Sequence, residues 1–540
     1  MFALKHYQED ALNALDNFLQ RVRVVELERA WRECAPLVPQ KNGKLIQLPY
    51  QKDAFGDIPC VCLRLPTGGG KTLLAAHAVA RVGKTFCDTD APVVLWLTPS
   101  DTIRSQTVAA LNQAGHPYRQ ALEQKPHQVV RVLELDQLAT VNPYEIGRQT
   151  LVLVATIQAF RVQDEKKAQR TVYAYDEALE PHFQGLTPQQ TADLDKVELD
   201  HLESQPHLTT ANLGQVKASL ANFLHLMNPI VIVDEAHNNR TETSFTTLKR
   251  LNPACVIELT ATPVGNSNVL YTVSAQALKT EDMIKLPIVL AEHPTGWRDA
   301  VRDAILTRQR LETLAQREPD YIRPVLLFQA EAKNKEVTVE VLLAHLISPD
   351  GAGLDQNEIA VATGTEKGLD GIDLFDRACR IRYVITVEAL KEGWDCSFAY
   401  VLCSLQESRS AKDVEQLLGR VLRMPYARAR ITTELNHAYA HVLAASFSEA
   451  ANRLTDRLVN NMGFEKYEAE QAVTPSASLF PEDAATGTRP LLPDCVLSVP
   501  AAPPLPVPAE LQAVIEVRQT HNGATVIVHG EVSEAVENYT

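Results

Sequence analysis

No Cys-x-x-Cys pair occurs among the nine cysteines, which stand at Cys34, Cys60, Cys62, Cys87, Cys255, Cys379, Cys396, Cys403 and Cys495. That spacing argues against a zinc or iron–sulfur centre, and most of these thiols sit in apolar, strand-like runs where a reduced, buried Cys is the default. Basic residues are the minority: 52 Lys and Arg against 67 Asp and Glu give a net charge of -15. A surface coated on all sides for nucleic acid is therefore excluded, whereas a local basic cleft is not. No apolar run reaches membrane length, and the opening Met1-Phe2-Ala3-Leu4-Lys5-His6 lacks the apolar core of a signal peptide. A reducing, cytoplasmic setting without a membrane partner is the expectation. Hydrophobic content of 45% and charged content of 22% are ordinary for a globular chain. The 540 residues suffice for roughly two to four domains, each with its own core.

What is present begins with one stretch. Ile58-Pro59-Cys60-Val61-Cys62-Leu63 reads as a buried strand, Leu73-Leu74-Ala75-Ala76-His77-Ala78-Val79-Ala80 as a helix, and Pro66-Thr67-Gly68-Gly69-Gly70-Lys71-Thr72 lies between them. Three glycines let several N–H groups turn toward one anion, and the helix start adds its positive end. Lys71 would supply a mobile charge to the β and γ phosphates, and the Thr72 hydroxyl a ligand for Mg²⁺. This is a Walker A loop in outline, with Leu65 where the general pattern has its first Gly. The bland alternative is a structural strand-to-helix turn.

Around it the chain alternates strand and helix, which predicts an α/β layer fold. Residues 4–23 read as an amphipathic helix opened by Tyr7-Gln8, and the Gln8 amide is a candidate reader of an adenine edge. Residues 35–56, with Pro36, Pro39 and Pro49, read as loop. Strands are predicted at 93–97, 129–135 and 151–155, the first and last ending in Thr98-Pro99-Ser100 and Thr156-Ile157-Gln158. Polar residues at the carboxyl ends of parallel strands are where such sheets bind ligands. Residues 161–225 break the rhythm and read as a helical insertion without assigned chemistry. Pro229-Ile230-Val231-Ile232-Val233 then delivers Asp234-Glu235-Ala236-His237 to a strand end. Two adjacent carboxylates there are costly unless a cation or proton transfer compensates them. In a nucleotide site Asp234 would hold Mg²⁺ and Glu235 would polarise the attacking water.

A second strand series, at 324–328, 359–362, 383–386 and 400–403, has no glycine-rich loop of its own. It carries instead Gln416, Arg420 and Arg423, spaced four and three apart and so placed on one face of a predicted helix. Guanidinium groups beside a nucleotide would stabilise charge developing on the transferred phosphoryl group. Standing alone, such a pair would more often form salt bridges.

Pro-Thr-Gly-Gly-Gly-Lys-Thr at 66–72, Asp-Glu-Ala-His at 234–237, Thr-Ala-Thr at 260–262 and Gln-x-x-Gly-Arg-x-x-Arg at 416–423, in this order, resemble a superfamily 2 helicase of the DEAH type. Glu281-Asp282-Met283-Ile284-Lys285-Leu286-Pro287 and Ala389-Leu390-Lys391-Glu392-Gly393-Trp394-Asp395 resemble, more narrowly, the ATPase subunit of type III restriction enzymes and related bacterial defence helicases. The resemblance covers about residues 1–460. It implies two tandem RecA-like domains, at 1–280 and 281–460, with ATP and Mg²⁺ between them and a linker with a partial β-containing region at 461–540. Gln8, Thr67, Gly68, Gly69, Gly70, Lys71, Thr72, Asp234 and Glu235 would serve the nucleotide from the first, and Gly393, Asp395, Gln416, Arg420 and Arg423 from the second. Thr98, Pro99, Ser100, Arg104, Thr156 and Gln158 match positions that touch a nucleic-acid backbone, contacts that need no base readout. His237 and residues 260–262 would couple nucleotide state to strand grip.

The family also implies a nuclease of the PD-(D/E)xK kind, but Pro493-Asp494 and Glu516-Val517-Arg518 imitate it loosely and read as chance. Val514 to Val517 and Ala524 to Val528 read instead as a β-hairpin. The expected function is an ATP-driven translocase or helicase on double- or single-stranded DNA, in a restriction or anti-phage system with a methyltransferase or other defence partner. A nucleotide-gated clamp without sustained movement, and an RNA helicase, are the alternatives.

Overall fold

The computed structural model describes the chain except for residues 1–3, 40–43, 53–54, 124–127, 161–171, 205–207, 237–240, 364–367, 370–371, 388–395, 407–417, 445–446, 476–494, 500–514, 521–522 and 529–540. The chain enters through α1 (His6–Val22), whose Leu12, Leu15, Phe18 and Leu19 fall on one buried face as their spacing predicts. After α2 (Leu27–Cys34), the stretch expected to be loop holds a small antiparallel ribbon, β1 (Leu37–Pro39) with β2 (Leu45–Gln47). Strands of three residues are too short to display an alternating pattern, and the prolines point toward loop.

Lobe one is built on seven strands: β3 (Cys60–Arg64), β4 (Val93–Thr98), β5 (Val130–Leu133), β6 (Thr150–Thr156), β7 (Ile230–Asp234), β8 (Cys255–Thr260) and β9 (Val269–Thr272). Their order is β5-β6-β4-β7-β8-β3-β9, and every pairing is parallel. The predicted strands are continuous apolar runs rather than alternating ones because both sheet faces are covered: β4, β6, β7 and β8 are buried at every position. Helices α3 (Lys71–Thr85), α4 (Asp101–Asn112), α5 (Pro117–Leu122), α6 (Leu220–Met227), α7 (Glu242–Arg250) and α8 (Ala275–Thr280) accompany them. The described residues between 172 and 219 of the insertion include short helical turns, such as Glu177–Phe183 and Leu199–Ser204, and an isolated bridge between Lys196 and Val216.

Lobe two repeats the plan with β10 (Ile288–Glu292), β11 (Val325–Gln329), β12 (Ile359–Val361), β13 (Tyr383–Thr386), β14 (Ala399–Ser404), β15 (Ala438–Val442) and β16 (Val473–Pro475), ordered β12-β13-β11-β14-β15-β10-β16. Pairings from β12 through β10 are parallel. Helix α9 (Trp297–Ala315) and helix α10 (Val339–Ile347) flank it. The molecule therefore holds two tandem RecA-like α/β domains, within the single compact unit formed by residues 1–474.

Before β16 the chain passes back across lobe one as α11 (Phe447–Met462) and α12 (Lys466–Ala472). The Thr67 N–H donates to the Met462 carbonyl at 3.3 Å, and Arg64 reaches the Gly463 carbonyl at 3.1 Å and the Glu465 carboxylate at 2.8 Å. Buried Glu468 accepts from the Ala275 and Gln276 N–H groups, satisfying the first turn of α8.

Residues 475–540 form a separate unit, an antiparallel sheet of β17 (Cys495–Val499), β18 (Ile515–Thr520) and β19 (Gly523–Val528) in the order β17-β19-β18. The β18–β19 pair is the hairpin read from the sequence; β17 is an addition. Glu516-Val517-Arg518 lies within β18, and Pro493-Asp494 lies outside the described residues. Among the described residues no helix is long and apolar enough to cross a membrane, and eight cysteines are free thiols.

Candidate nucleotide site

Strand β3 ends at Arg64, and the turn that follows is shaped by its glycines. Gly68 and Gly70 take φ of +88° and +72°, a region unfavourable for side chains, and Gly70 caps α3. A Cβ on Gly68 would stand 2.9 Å from Ile284 Cγ2, and one on Gly70 would stand 2.7 Å from Gln8 Nε2. Leu65, in the slot where the general pattern has Gly, is fully buried, and its N–H donates to the Thr260 carbonyl at 3.0 Å. A core side chain is what that position needs.

Helix α1 holds the turn from outside. The Tyr7 hydroxyl donates to the Gly69 carbonyl at 2.9 Å, and Gln8 Nε2 lies 3.5 Å from the same oxygen. Gln8 Oε1 accepts from the Lys5 N–H at 3.0 Å, so the amide is 1% exposed and braces the loop.

Asp234 ends β7 and Glu235 follows with φ +48°, a left-handed conformation costly for a residue with a Cβ. That turn lets the Glu235 N–H donate to its neighbour's Oδ1 at 3.0 Å and sends its own carboxylate to Lys71, 2.8 Å away. Burial, followed by the adjacent Glu235 charge, pushes Asp234 up to about 7, with Lys71 pulling the other way.

Lobe two closes the site. A cavity of about 580 Å³ is lined by Thr67, Gly68, Gly69, Gly70, Lys71, Thr72, Asp234 and Glu235 from one side and by Ser397, Arg420, Arg423 and Met424 from the other. The approach is close: a Cβ on Gly419 would stand 2.7 Å from Thr67 Cγ2. The two arginines do not share a helix face, as the four-and-three spacing predicted. The described helical residues end at Val421, and Arg423 pairs in an antiparallel bridge with Ile284. Pro425 opens the next short turn and drives Met424 before it to extended backbone. Gly393, Asp395, Gln416 and His237 lie outside the described residues.

The residues suit a polyanion with a divalent ion. Glycine N–H groups, Lys71, Arg420 and Arg423 face a cavity whose acids are Asp234 and Glu235. Among the described residues no three His, Cys, Asp or Glu side chains form a metal-holding group. Mg²⁺ keeps several waters and takes one or two protein ligands plus phosphate oxygens, and Thr72 and Asp234 are the donors that line the cavity.

The residues predicted to meet nucleic acid lie at the ends of β4 and β6 and, for Arg104, in the first turns of α4, beside a second cavity of about 560 Å³ whose lining includes Asp101, Arg104, Glu134, Asp136, Thr156 and Asp176. Arg104 and Thr156 meet there. Arg104 is held by Asp101 at 3.1 Å and by Glu134. Thr98 points inward: it is fully buried, with its hydroxyl 3.3 and 3.4 Å from the Ser100 and Ala155 carbonyls, so it shapes the strand end instead of reaching from it. The Ser100 hydroxyl caps α4, Pro99 is half-buried, and Gln158 is exposed.

Sequence reasoning assigned no role to Tyr7, Ile284 or Met462. Tyr7 is adjacent to Gln8 and Ile284 lies inside the 281–287 motif, so both were signalled; Met462 sits in a helix with no motif of its own.

Residues 1–265 match the family model described as "Type III restriction enzyme, res subunit". No curated protein sequence matches the chain. Among solved structures, the ATP-dependent Type ISP restriction-modification enzyme LlaBIII bound to DNA is 12% identical at a TM-score of 0.46, over 90% of this chain and 32% of its own. The DUF1998 helicase MrfA bound to DNA and AMPPNP is 12% identical at 0.43, over 94% and 64%. The Mycobacterium smegmatis helicase Lhr bound to ssDNA and AMP-PNP is 14% identical at 0.39, over 82% and 51%. The chain thus spans only 32% of the restriction-modification enzyme's length. With a match to the res-subunit family at residues 1–265 and two RecA-like lobes, the chain fits a Res-like superfamily 2 helicase.

Proposed function

We propose that the protein hydrolyses ATP at the seam between its lobes and uses the cycle to move along or remodel DNA, in a cytoplasmic restriction or anti-phage system with a separate defence partner. The observation that carries this reading is a single cavity in which Lys71 and Glu235, held 2.8 Å apart, face Arg420 and Arg423 from the other lobe. The glycine N–H groups and Lys71 bind the β and γ phosphates, and Gln8 borders the base. Glu235 orients the attacking water and receives its proton. Arg420 and Arg423 offset the charge that develops on the equatorial oxygens of the phosphoryl group. When bound through Thr72 and Asp234, Mg²⁺ supplies charge neutralisation of the β and γ oxygens. Gly393, Asp395 and Gln416 would complete the second side. Ser100, Arg104, Thr156 and Gln158 would follow the phosphates and sugars of one strand, with Pro99 and Thr98 shaping the turn beneath them.

Phosphate release by the full chain, with and without DNA, tests the reading. Wild type is expected to turn over faster with DNA, and Glu235→Gln to lose about 100-fold or more in kcat while still binding nucleotide. An unchanged rate in Glu235→Gln would remove that carboxylate from the mechanism. Stimulation by RNA in preference to DNA at matched salt would reassign the polymer.

A further inference from the structure

The segment joining the lobes, residues 281–287, touches both halves of the nucleotide cavity. It leaves α8 through Asp282, with φ +57°, and the Met283 N–H folds back on the Leu278 carbonyl at 2.9 Å. It then runs antiparallel to the arginine segment. Ile284 bridges Arg423, the Lys285 N–H donates to the Leu422 carbonyl at 2.7 Å, and the Met424 N–H donates to the Met283 carbonyl at 3.0 Å. Lys285 fixes this ribbon in lobe two: it is fully buried, with Nζ donating to the Ser397 and Ala399 carbonyls at 2.9 and 2.6 Å and lying 3.8 Å from the Tyr400 ring centroid.

By its hydrogen bonds, then, the linker belongs with lobe two and with Arg423. The Ile284 side chain does the opposite. It is 1% exposed, and its Cγ2 lies so near Gly68 that any Cβ there would meet it at 2.9 Å. The Arg423 stem approaches the same point, with Cγ 4.0 Å from where that Cβ would be. Ile284 therefore sits opposite Arg423, kept there by the backbone hydrogen bonds of Met283 and Lys285 on either side of it, and rests on the phosphate loop by its side chain.

We propose that Ile284 is a positioning residue for phosphoryl transfer, acting as the stop that sets how closely Arg423 approaches the phosphate loop. The proposal rests on the ATPase reading above. A branched side chain suits the task, because its restricted χ1 makes it a stiff spacer. Shortening it leaves Arg423 attached to the linker while removing the surface that fixes its distance from Gly68. Displacements of about 1 Å in such a group cost up to about 100-fold in rate.

The test is a double-mutant cycle on the full chain. Phosphate release at saturating ATP with DNA, affinity for a fluorescent ATP analogue and the thermal midpoint are measured for wild type, Ile284→Ala, Ile284→Val, Arg423→Ala and Ile284→Ala/Arg423→Ala. Ile284→Ala should lower kcat about 10- to 100-fold with nucleotide affinity within about threefold of wild type, and Ile284→Val should restore most of it. In the Arg423→Ala background the same change should add less than about twofold, because its target is gone. Full additivity in that background, or a loss of affinity as large as the loss of kcat, would overturn the proposal. If Ile284→Ala unfolds, Ile284→Val carries the same cycle with a smaller effect of the same sign. Wild-type turnover in Arg423→Ala alone would instead strike at the arginine assignment, a failure visible without any change at Ile284.

Discussion

The two lobes share one plan and divide its chemistry unequally. Each stacks parallel strands, yet among the described residues only β3 of lobe one runs into a glycine turn able to close around phosphates. The corresponding edge of lobe two ends in Gln329, Thr386 and Ser404, all buried, with Ser404 donating to Gln329 Oε1 at 2.9 Å. Lobe two's charged contribution to the cavity comes from elsewhere, from Arg420 and Arg423. A duplicated fold thus supplies a binding surface once and a charge sensor once, and neither is complete until the lobes meet. On the proposed reading that would be the physical basis of a cycle: closure completes the site, and hydrolysis removes the charge that held it closed.

The sharpest break in this comparison is to remove lobe two's charge while leaving lobe one intact. Arg420→Ala is expected to lower kcat by about 1,000-fold, the range seen when a transition-state arginine is lost, with a small change in nucleotide affinity because lobe one still binds the phosphates. Equal losses of kcat and affinity would mean that Arg420 serves ground-state binding, and the division of labour would then be wrong.

A smaller effect should follow from spoiling the fit between lobes without touching a charge. Gly419→Ala places a methyl where only 2.7 Å separates it from Thr67 Cγ2, so the lobes must part slightly or the threonine must turn. Overpacking of this kind costs about 1–3 kcal/mol, which if confined to the closed state predicts a loss of about 5- to 160-fold in kcat. Thr67→Ser removes the obstructing methyl, so the double variant should recover much of the rate. No recovery would place the effect of Gly419→Ala elsewhere.

Lobe one was legible in the sequence because its signals are local. A buried strand, a glycine turn, Lys71-Thr72 and a strand ending in Asp234-Glu235 each declare themselves within ten residues, and β3, α3, β4, β6, β7 and β8 lie where their apolar runs place them. Lobe two was legible in its strands and in the two arginines that reach the cavity, but not in the path of the segment that carries them. The spacing of Arg420 and Arg423 suited a helix, but a backbone pairing with residues far away in sequence ended that helix at Val421. A tertiary contact of that kind leaves no periodic trace. The same holds for the Gln8 amide, half committed to Lys5 and Gly69, and for the return of α11 to the phosphate loop through Met462. The positive φ of Glu235 is a further case, since nothing in its identity announces that the chain turns left-handed there.

The smallest predicted effect distinguishes the lobes by acid. In lobe two His293 Nε2 and His441 Nδ1 lie 3.1 Å apart with stacked rings, Thr307 sits 3.2 Å from His441 Nε2, and Asp303 lies 3.8 Å from His293. Burial, with the neighbouring His293, holds His441 down to about 3, below the ordinary 6.5. Its folded form binds fewer protons than its unfolded form between those values, so the stability it confers is full above about 6.5 and is lost as pH falls toward 3. Asp234 of lobe one has the opposite sign. Raised from 3.8 to about 7, it binds more protons folded than unfolded across that window, and its share of stability is full below 3.8 and lost as pH rises through 7. Acidifying from pH 7 to 5 should therefore loosen β15 relative to β7, each by at most about 1.4 kcal/mol per pH unit, read as amide exchange in the two strands. His441→Asn should flatten the response of β15 and leave that of β7 unchanged, and Asp234→Asn should do the reverse. If both strands respond alike in wild type, the buried histidine pair and the buried carboxyl do not set the acid response of their lobes.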